Sequence, residues 1–114
     1  MRTIKFRAWD ESQKYMAKQG TPDLETIQSF FFHFGDCQLM QFTGLTDKNG
    51  VEIYEGDIVK VDIFTKNYCI VFGESKKWGA SFQYKSDFSI YYLTESFTRD
   101  CLVIGNIFDN PELL

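Results

Sequence analysis

Apolar and polar positions alternate from the start of the chain. Ile4, Phe6 and Ala8 fall on one side and Lys5, Arg7 and Trp9 on the other, the period-two signature of a half-buried strand. Asp10 to Gln13 supplies turn residues, and Lys14 to Met16 can return antiparallel, which predicts an N-terminal β-hairpin. Gly20-Thr21-Pro22-Asp23 then breaks the pattern. Asp23 is placed to cap one helical turn across Leu24 to Gln28.

The next two apolar runs, Ser29 to Phe34 and Gln38 to Thr43, are separated by Gly35-Asp36, and their aromatic density favours strand over helix. Asn49-Gly50 is the strongest short-range turn signal in the chain and lets Val51 to Tyr54 pair back on the preceding strand. Gly56-Asp57 turns the chain into Ile58 to Phe64. There Val59, Val61 and Ile63 alternate with Lys60 and Asp62, predicting a core face and a wet face. Tyr68 to Phe72, Ala80 to Lys85, Ile90 to Leu93 and Leu102 to Ile104 follow as short strands, and Asn110-Pro111-Glu112 can start a last helical turn. Many short strands with turn signals between them, and no long stretch of period 3.6, argue a barrel or sandwich.

Composition makes that reading affordable in size. The chain has 114 residues, 44% hydrophobic and 18% aromatic, with 12 Phe. Folding at this length buries about two-thirds of the unfolded surface, so one core and one domain over residues 1–114 are expected, without linker, low-complexity tract or disorder. No apolar run approaches the roughly 20 residues of a membrane span. Lys5, Arg7, Asp10 and Glu11 interrupt any signal-peptide core, so the product is expected to remain in the compartment where it is made.

The cysteines Cys37, Cys69 and Cys101 are odd in number and 32 residues apart, which suits neither a disulfide framework nor paired metal ligands. Tyr68-Cys69-Ile70-Val71-Phe72-Gly73 and Asp100-Cys101-Leu102-Val103-Ile104-Gly105 look alike, but their flanks do not match, so two ordinary buried strands are expected rather than a repeat. Net charge is −4, a bias against polyanion binding, which depends on Lys and Arg neutralising phosphates. The first 20 residues run against that bias, with Arg2, Lys5, Arg7, Lys14 and Lys18 facing only Asp10 and Glu11.

Three ordered segments carry a further signal. They are Phe6-Arg7-Ala8-Trp9-Asp10; Met40-Gln41-Phe42-Thr43-Gly44-Leu45 through Asp47-Lys48-Asn49-Gly50 to Ile53-Tyr54-Glu55-Gly56-Asp57-Ile58-Val59; and Ile104-Gly105-Asn106-Ile107 with Asn110-Pro111-Glu112-Leu113. Together they resemble the YopX-like family of phage and prophage proteins along the whole chain. The residue pattern predicts an all-β fold with an N-terminal β-hairpin extension and at most short helical turns, and the resemblance implies an SH3-like small β-barrel core. It also implies a phage or prophage gene whose product acts in the bacterial cytoplasm. It brings no catalytic residues, cofactor or metal.

Each candidate constellation has a structural alternative. Asp47-Lys48-Asn49-Gly50 with Glu52 has a passing likeness to a calcium loop but lacks its spacing and distal Glu, and a hairpin turn explains the same residues. Glu55-Gly56-Asp57 sets two carboxylates beside a Gly. With no nucleophile near, the expected role of Gly56 is a special backbone angle and that of Asp57 is to bond turn amides. Gly44, Tyr54, Gly105 and Asn106 are read in the same structural way. His33, the sole histidine, would have to serve any Ser-His or Cys-His machinery, and no nucleophile motif accompanies it.

Two basic and aromatic sites remain as candidate binding surfaces: Arg7 and Trp9 on the first strand, and Lys76-Lys77-Trp78 in a hairpin loop. Their bland readings are a paired arginine, a tryptophan covering the barrel end, and a solvated loop. The expected function is therefore a non-catalytic binding module that contacts a phage or host protein or forms a homo-oligomer. The alternative is a nucleic-acid-binding accessory protein in phage replication or regulation, which the net charge disfavours. An enzyme ranks last.

Overall fold

The structure, a computed structural model, describes residues 4–19, 37–75, 79–87 and 89–114. It divides into two compact units, Met1–Phe42 and Thr43–Leu114. The helical turn expected over Leu24 to Gln28 and the strand expected over Ser29 to Phe34 lie outside the described residues.

In the first unit, β1 (Phe6–Asp10) lies between β2 (Tyr15–Lys18) and the first half of β3 (Gln38–Thr46), antiparallel to both. Ala8 sits opposite Ala17 on one side and Leu39 on the other. These small residues, with Phe6, Leu39 and Cys37 around them, form a compact apolar cluster. The hairpin is set by its turn. Asp10 Oδ1 accepts from the Ser12 backbone N–H at 3.1 Å and from its hydroxyl at 2.8 Å, the local bonding that makes Asp a turn former. Lys14 takes a left-handed angle, φ 53°, so the return strand starts at Tyr15, one residue later than expected. Glu11 binds the Lys14 ammonium and accepts from Trp9 Nε1 at 2.7 Å. Those two hydrogen bonds, that of Lys14 first, hold the Glu11 carboxyl below its ordinary value. At the other end, Phe6 and Gln19 exchange hydrogen bonds of 3.0 Å.

The second unit begins with the rest of β3 and β4 (Glu52–Tyr54). It continues through β5 (Asp57–Val61), β6 (Tyr68–Ser75), β7 (Gly79–Lys85) and β8 (Ile90–Tyr92). A single helical turn, α1 (Glu95–Thr98), precedes β9 (Cys101–Asn106), and a 3-10 turn closes the chain at Pro111–Leu113. Five strands form an antiparallel sheet in the order β8-β7-β6-β5-β9. Its core joins Val59 and Val61 of β5, Ile70 of β6, Phe82 of β7 and Cys101 of β9 to Ile53 of β4 and Leu93, with Leu45 of β3 and Phe97 of α1 packed against them. Strands on both sides of one enclosed cluster make this unit a small barrel, and the chain as a whole is all-β, as expected.

Barrel closure depends on the β3–β4 turn. β9 is the last strand of its sheet, so one edge is open after β5 has paired with the other. Lys48 donates its backbone N–H to Cys101 O at 3.1 Å, and Asp47 Oδ2 accepts from the Val103 N–H at 3.0 Å. The turn thus covers an edge that would otherwise invite pairing by another chain. β9 also carries a bulge: Ile58 pairs with Gly105 and Val59 with Val103, leaving Ile104 without an opposite number. Gly105 is needed just there, because a Cβ would lie 2.5 Å from Asn110 Oδ1.

Two sequence expectations need correction. The alternation through β5 placed Ile63 in the core, yet it is 83% exposed. The strand ends at Val61, and Phe64 N–H bonds Val61 O at 2.9 Å, so the reversal carries Asp62 and Ile63 out of the sheet. α1 was not expected at all. Thr94 caps it through its hydroxyl, which accepts from the Phe97 N–H at 3.2 Å, and Arg99 reaches Glu95 one turn back at 3.0 Å. One turn is too short to show a helical period.

Cys69 and Cys101 are buried on the two neighbours of β5, opposite Ile58 and Val61. Burial pushes both thiols up, Cys101 to about 12. Because the thiolate is the nucleophile, neither should react with iodoacetamide in the native chain at mildly alkaline pH, and both should react after denaturation. Native alkylation of Cys101, read by peptide mass, would contradict this packing. Replacing Asp47 by Ala strands three backbone donors (Asn49, Val51 and Val103) that its carboxylate now satisfies. Urea unfolding should record a loss of about 2–4 kcal/mol with an unchanged m-value.

Candidate functional site

The expected constellations resolve into structural devices. Asp47 Oδ1 accepts from the backbone N–H groups of Asn49 and Val51, each at 2.9 Å, while Gly50 alone carries the left-handed angle, φ 82°. With Oδ2 on Val103, both oxygens of a carboxylate only 5% exposed are committed to main-chain donors. This is a hairpin clasp, and it leaves no calcium-loop geometry. Among the described residues no group of three or more His, Cys, Asp or Glu is placed to hold a metal ion.

The Glu55-Gly56-Asp57 turn works in the same way. Gly56 adopts φ 84°, donates to Ile70 O at 2.7 Å and accepts from Ile107 N–H at 2.9 Å, so it ties β6 to the end of β9. Asp57, 2% exposed, accepts from the Tyr54 N–H at 2.8 Å. Gly44 supplies a third left-handed position, φ 87°. Asn106 Oδ1 accepts from Phe108 and Asp109 N–H at 3.0 and 2.9 Å, shaping the turn after β9.

The Arg7 and Trp9 surface requires correction. They are 5% and 2% exposed, because β1 is the central strand of its sheet and both of its faces are covered. The half-buried cation just before that strand, Lys5, is engaged locally, its Nζ lying 4.9 Å from the Phe42 ring centroid. Lys76, Lys77 and Trp78 lie outside the described residues, as does His33. The hairpin that holds the Lys76 loop is present, with Ser75 paired to Gly79.

A different surface stands out in the second unit. Opposite and diagonal positions on neighbouring strands share a face: Tyr84 on β7 pairs with Ile70 on β6 and so lies diagonal to Tyr68, two residues before it, and on its other side Tyr84 pairs with Tyr91 on β8. The ring centroids of Tyr68 and Tyr84 are 5.2 Å apart, edge to face, and those of Tyr84 and Tyr91 are 5.2 Å apart, stacked. Phe97 from α1 lies flat on Tyr84 at 3.7 Å, and Phe64 meets Tyr68 edge-on at 5.9 Å. The inner rings prop the outer ones, and the ends remain open: Phe64 is 39% and Tyr91 47% exposed. Such ring pairs contribute about 0.5–1.5 kcal/mol each beyond area burial, so the row is held in shape before any ligand arrives.

Beside Phe64 and Tyr68 is a cleft of about 290 Å³ lined also by Ile63, Lys66, Ser86 and Ser89. Burial, followed by the neighbouring Tyr68 and Tyr91, pushes the Tyr84 phenol up from its ordinary value. The row combines flat apolar area with hydroxyl tips, and it contains no nucleophile–base pair. Sequence reading placed Phe64, Tyr68, Tyr84 and Tyr91 in strands, gave Phe97 no element, and did not join them. The cross-strand register that does so is visible only in the fold.

Among the described residues no helix is long and apolar enough to cross a membrane. No curated protein matches the chain. The crystal structure of protein EF1440 from Enterococcus faecalis is similar at 27% identity with a TM-score of 0.56, over 100% of this chain and 99% of that one. The model of the family described as YopX protein matches residues 24–114, a span holding the β3–β4 clasp, the Gly56 turn and the whole second unit. The chain belongs to the YopX family.

Proposed function

We propose that this protein is a phage- or prophage-encoded binding module that acts without catalysis in the bacterial cytoplasm, holding a phage or host protein or a second copy of itself. The observation that carries the reading is the aromatic row from Phe64 through Tyr68 and Tyr84 to Tyr91, rigid at its centre and open at both ends. Rigid, partly exposed tyrosines are what protein interfaces use as anchors, because they offer much area for little side-chain entropy. The neighbouring Ile63, 83% exposed and lining the cleft beside Phe64 and Tyr68, enlarges the apolar surface.

Polar chemistry supports the same direction. The two most conspicuous carboxylates, Asp47 and Asp57, hold backbone amides and are buried, so neither is placed to serve as an acid or base toward a substrate. Nucleic acid ranks second. Bases could stack on the row, but net charge is −4 and the Arg7 and Trp9 face is buried.

Affinity capture from induced or infected cells tests the reading, with proteins and nucleic acid both analysed. Phe64→Ala with Tyr91→Ala should lower capture of the partner, or self-association by gel filtration, by about 30-fold or more, the effect of losing one strong aromatic anchor. Both residues are substantially exposed and each gives up one ring pair, so the variant should stay folded with its thermal midpoint lowered by only a few degrees, roughly the loss of two such pairs. Capture and assembly equal to wild type would refute the assignment of this surface. Recovery of nucleic acid alone, abolished by moderate salt, would refute the protein-partner reading.

A further inference from the structure

Asn49 and Gly50 sit exposed at the tip of the β3–β4 hairpin. Among the described residues the Asn49 side-chain amide takes no hydrogen bond; the residue's only bond is from its backbone N–H to Asp47 Oδ1. Gly50 has no side chain, and nothing lies within 4 Å of where a Cβ would be. The approach of the Asn49 Cγ to the Gly50 nitrogen is therefore unobstructed by side chains. The other asparagines differ: Asn67 is followed by Tyr68, Asn106 by Ile107 and Asn110 by Pro111. A bulky residue hinders that approach, and proline has no N–H to give up.

We infer that Asn49 is a self-modification site, deamidated by its own backbone at a rate set by the Asp47 clasp. The Gly50 nitrogen, losing its proton to solvent hydroxide, bonds to the Asn49 Cγ, and the Cγ–Nδ2 bond breaks with departure of ammonia. Water then hydrolyses one of the two C–N bonds of the resulting imide, leaving aspartate or isoaspartate. No redox partner or metal is needed, and the chain gains one negative charge.

The native turn opposes the first step. Gly50 donates its N–H to Asp47 O at 3.0 Å, and the flanking Asn49 and Val51 amides are both fixed on Asp47 Oδ1. The nitrogen has to leave that bond before it can lose its proton and turn toward Cγ. Conversion, once made, acts back on the fold. Isoaspartate routes the backbone through the former side chain, so the Asn49 and Val51 amides can no longer both meet one oxygen, and a second carboxylate now stands beside Asp47. The same clasp that covers the edge of β9 through Val103 is loosened.

The test incubates the full chain in warm, mildly alkaline buffer and follows each asparagine by peptide mass and by separation of the two acid isomers. Asn49 should convert before Asn67, Asn106 and Asn110, and yield both isomers. In urea, with the turn open, its conversion should be about tenfold faster or more, as expected from releasing the Gly50 N–H from the Asp47 carbonyl together with the two flanking amides from the Asp47 carboxylate. Asp47→Ala should accelerate it likewise where that variant folds, and the urea comparison stands where it does not. Earlier conversion at another asparagine would overturn the site, and equal native and unfolded rates would overturn control by the clasp.

Discussion

The second unit depends on one carboxylate. Asp47 holds three backbone amides, two within its own turn and one on Val103, 56 residues further along the chain. A backbone amide buried without a partner costs about 1–3 kcal/mol, and the last strand of an open sheet presents a row of such groups. By reaching from the β3–β4 turn to β9, Asp47 and the Lys48 amide satisfy an edge that no strand covers. The local turn and the long-range closure therefore share one carboxylate, which ties the middle of the chain to its end.

The turn at Gly56 repeats the arrangement from the opposite side. Its amide and carbonyl bridge Ile70 and Ile107, and Asp57 secures the Tyr54 amide beneath it. Both devices use an aspartate for its acceptor oxygens and a glycine for a left-handed angle that a Cβ would strain. Two Asp-Gly constellations that invite a metal-binding or acid–base reading thus become the fasteners of a small barrel. Burial decides between the readings, since a carboxylate enclosed and bonded to main-chain donors has no open oxygen with which to meet a ligand.

Much of this was legible in the chain. Period-two alternation located β1 and β5, and Asn49-Gly50 and Gly56-Asp57 located the turns. Besides the single turn of α1, three features were not legible, each for a physical reason. Ile63 continues the β5 alternation, but where a strand stops is decided by the reversal that follows, not by hydropathy. Arg7 and Trp9 alternate with apolar neighbours and read as a wet face, whereas a central strand can be covered on both sides. The aromatic row joins residues from three strands, a loop and α1, and only register brings Tyr68, Tyr84 and Tyr91 together.

The same distinction bears on function. Features clear in sequence, the turns and their aspartates, prove to be devices of stability. The surface suited to contact is assembled from scattered residues that are unremarkable one by one. Its inner rings are fixed by packing against Phe97 and the core, whereas Phe64 and Tyr91 keep area that water can leave on association. A rigid row with open ends loses little conformational freedom when a partner covers it. The proposed binding would therefore require no rearrangement of the barrel: the clasp at Asp47 holds the fold closed, and the row at Tyr84 is the surface on which that proposal rests.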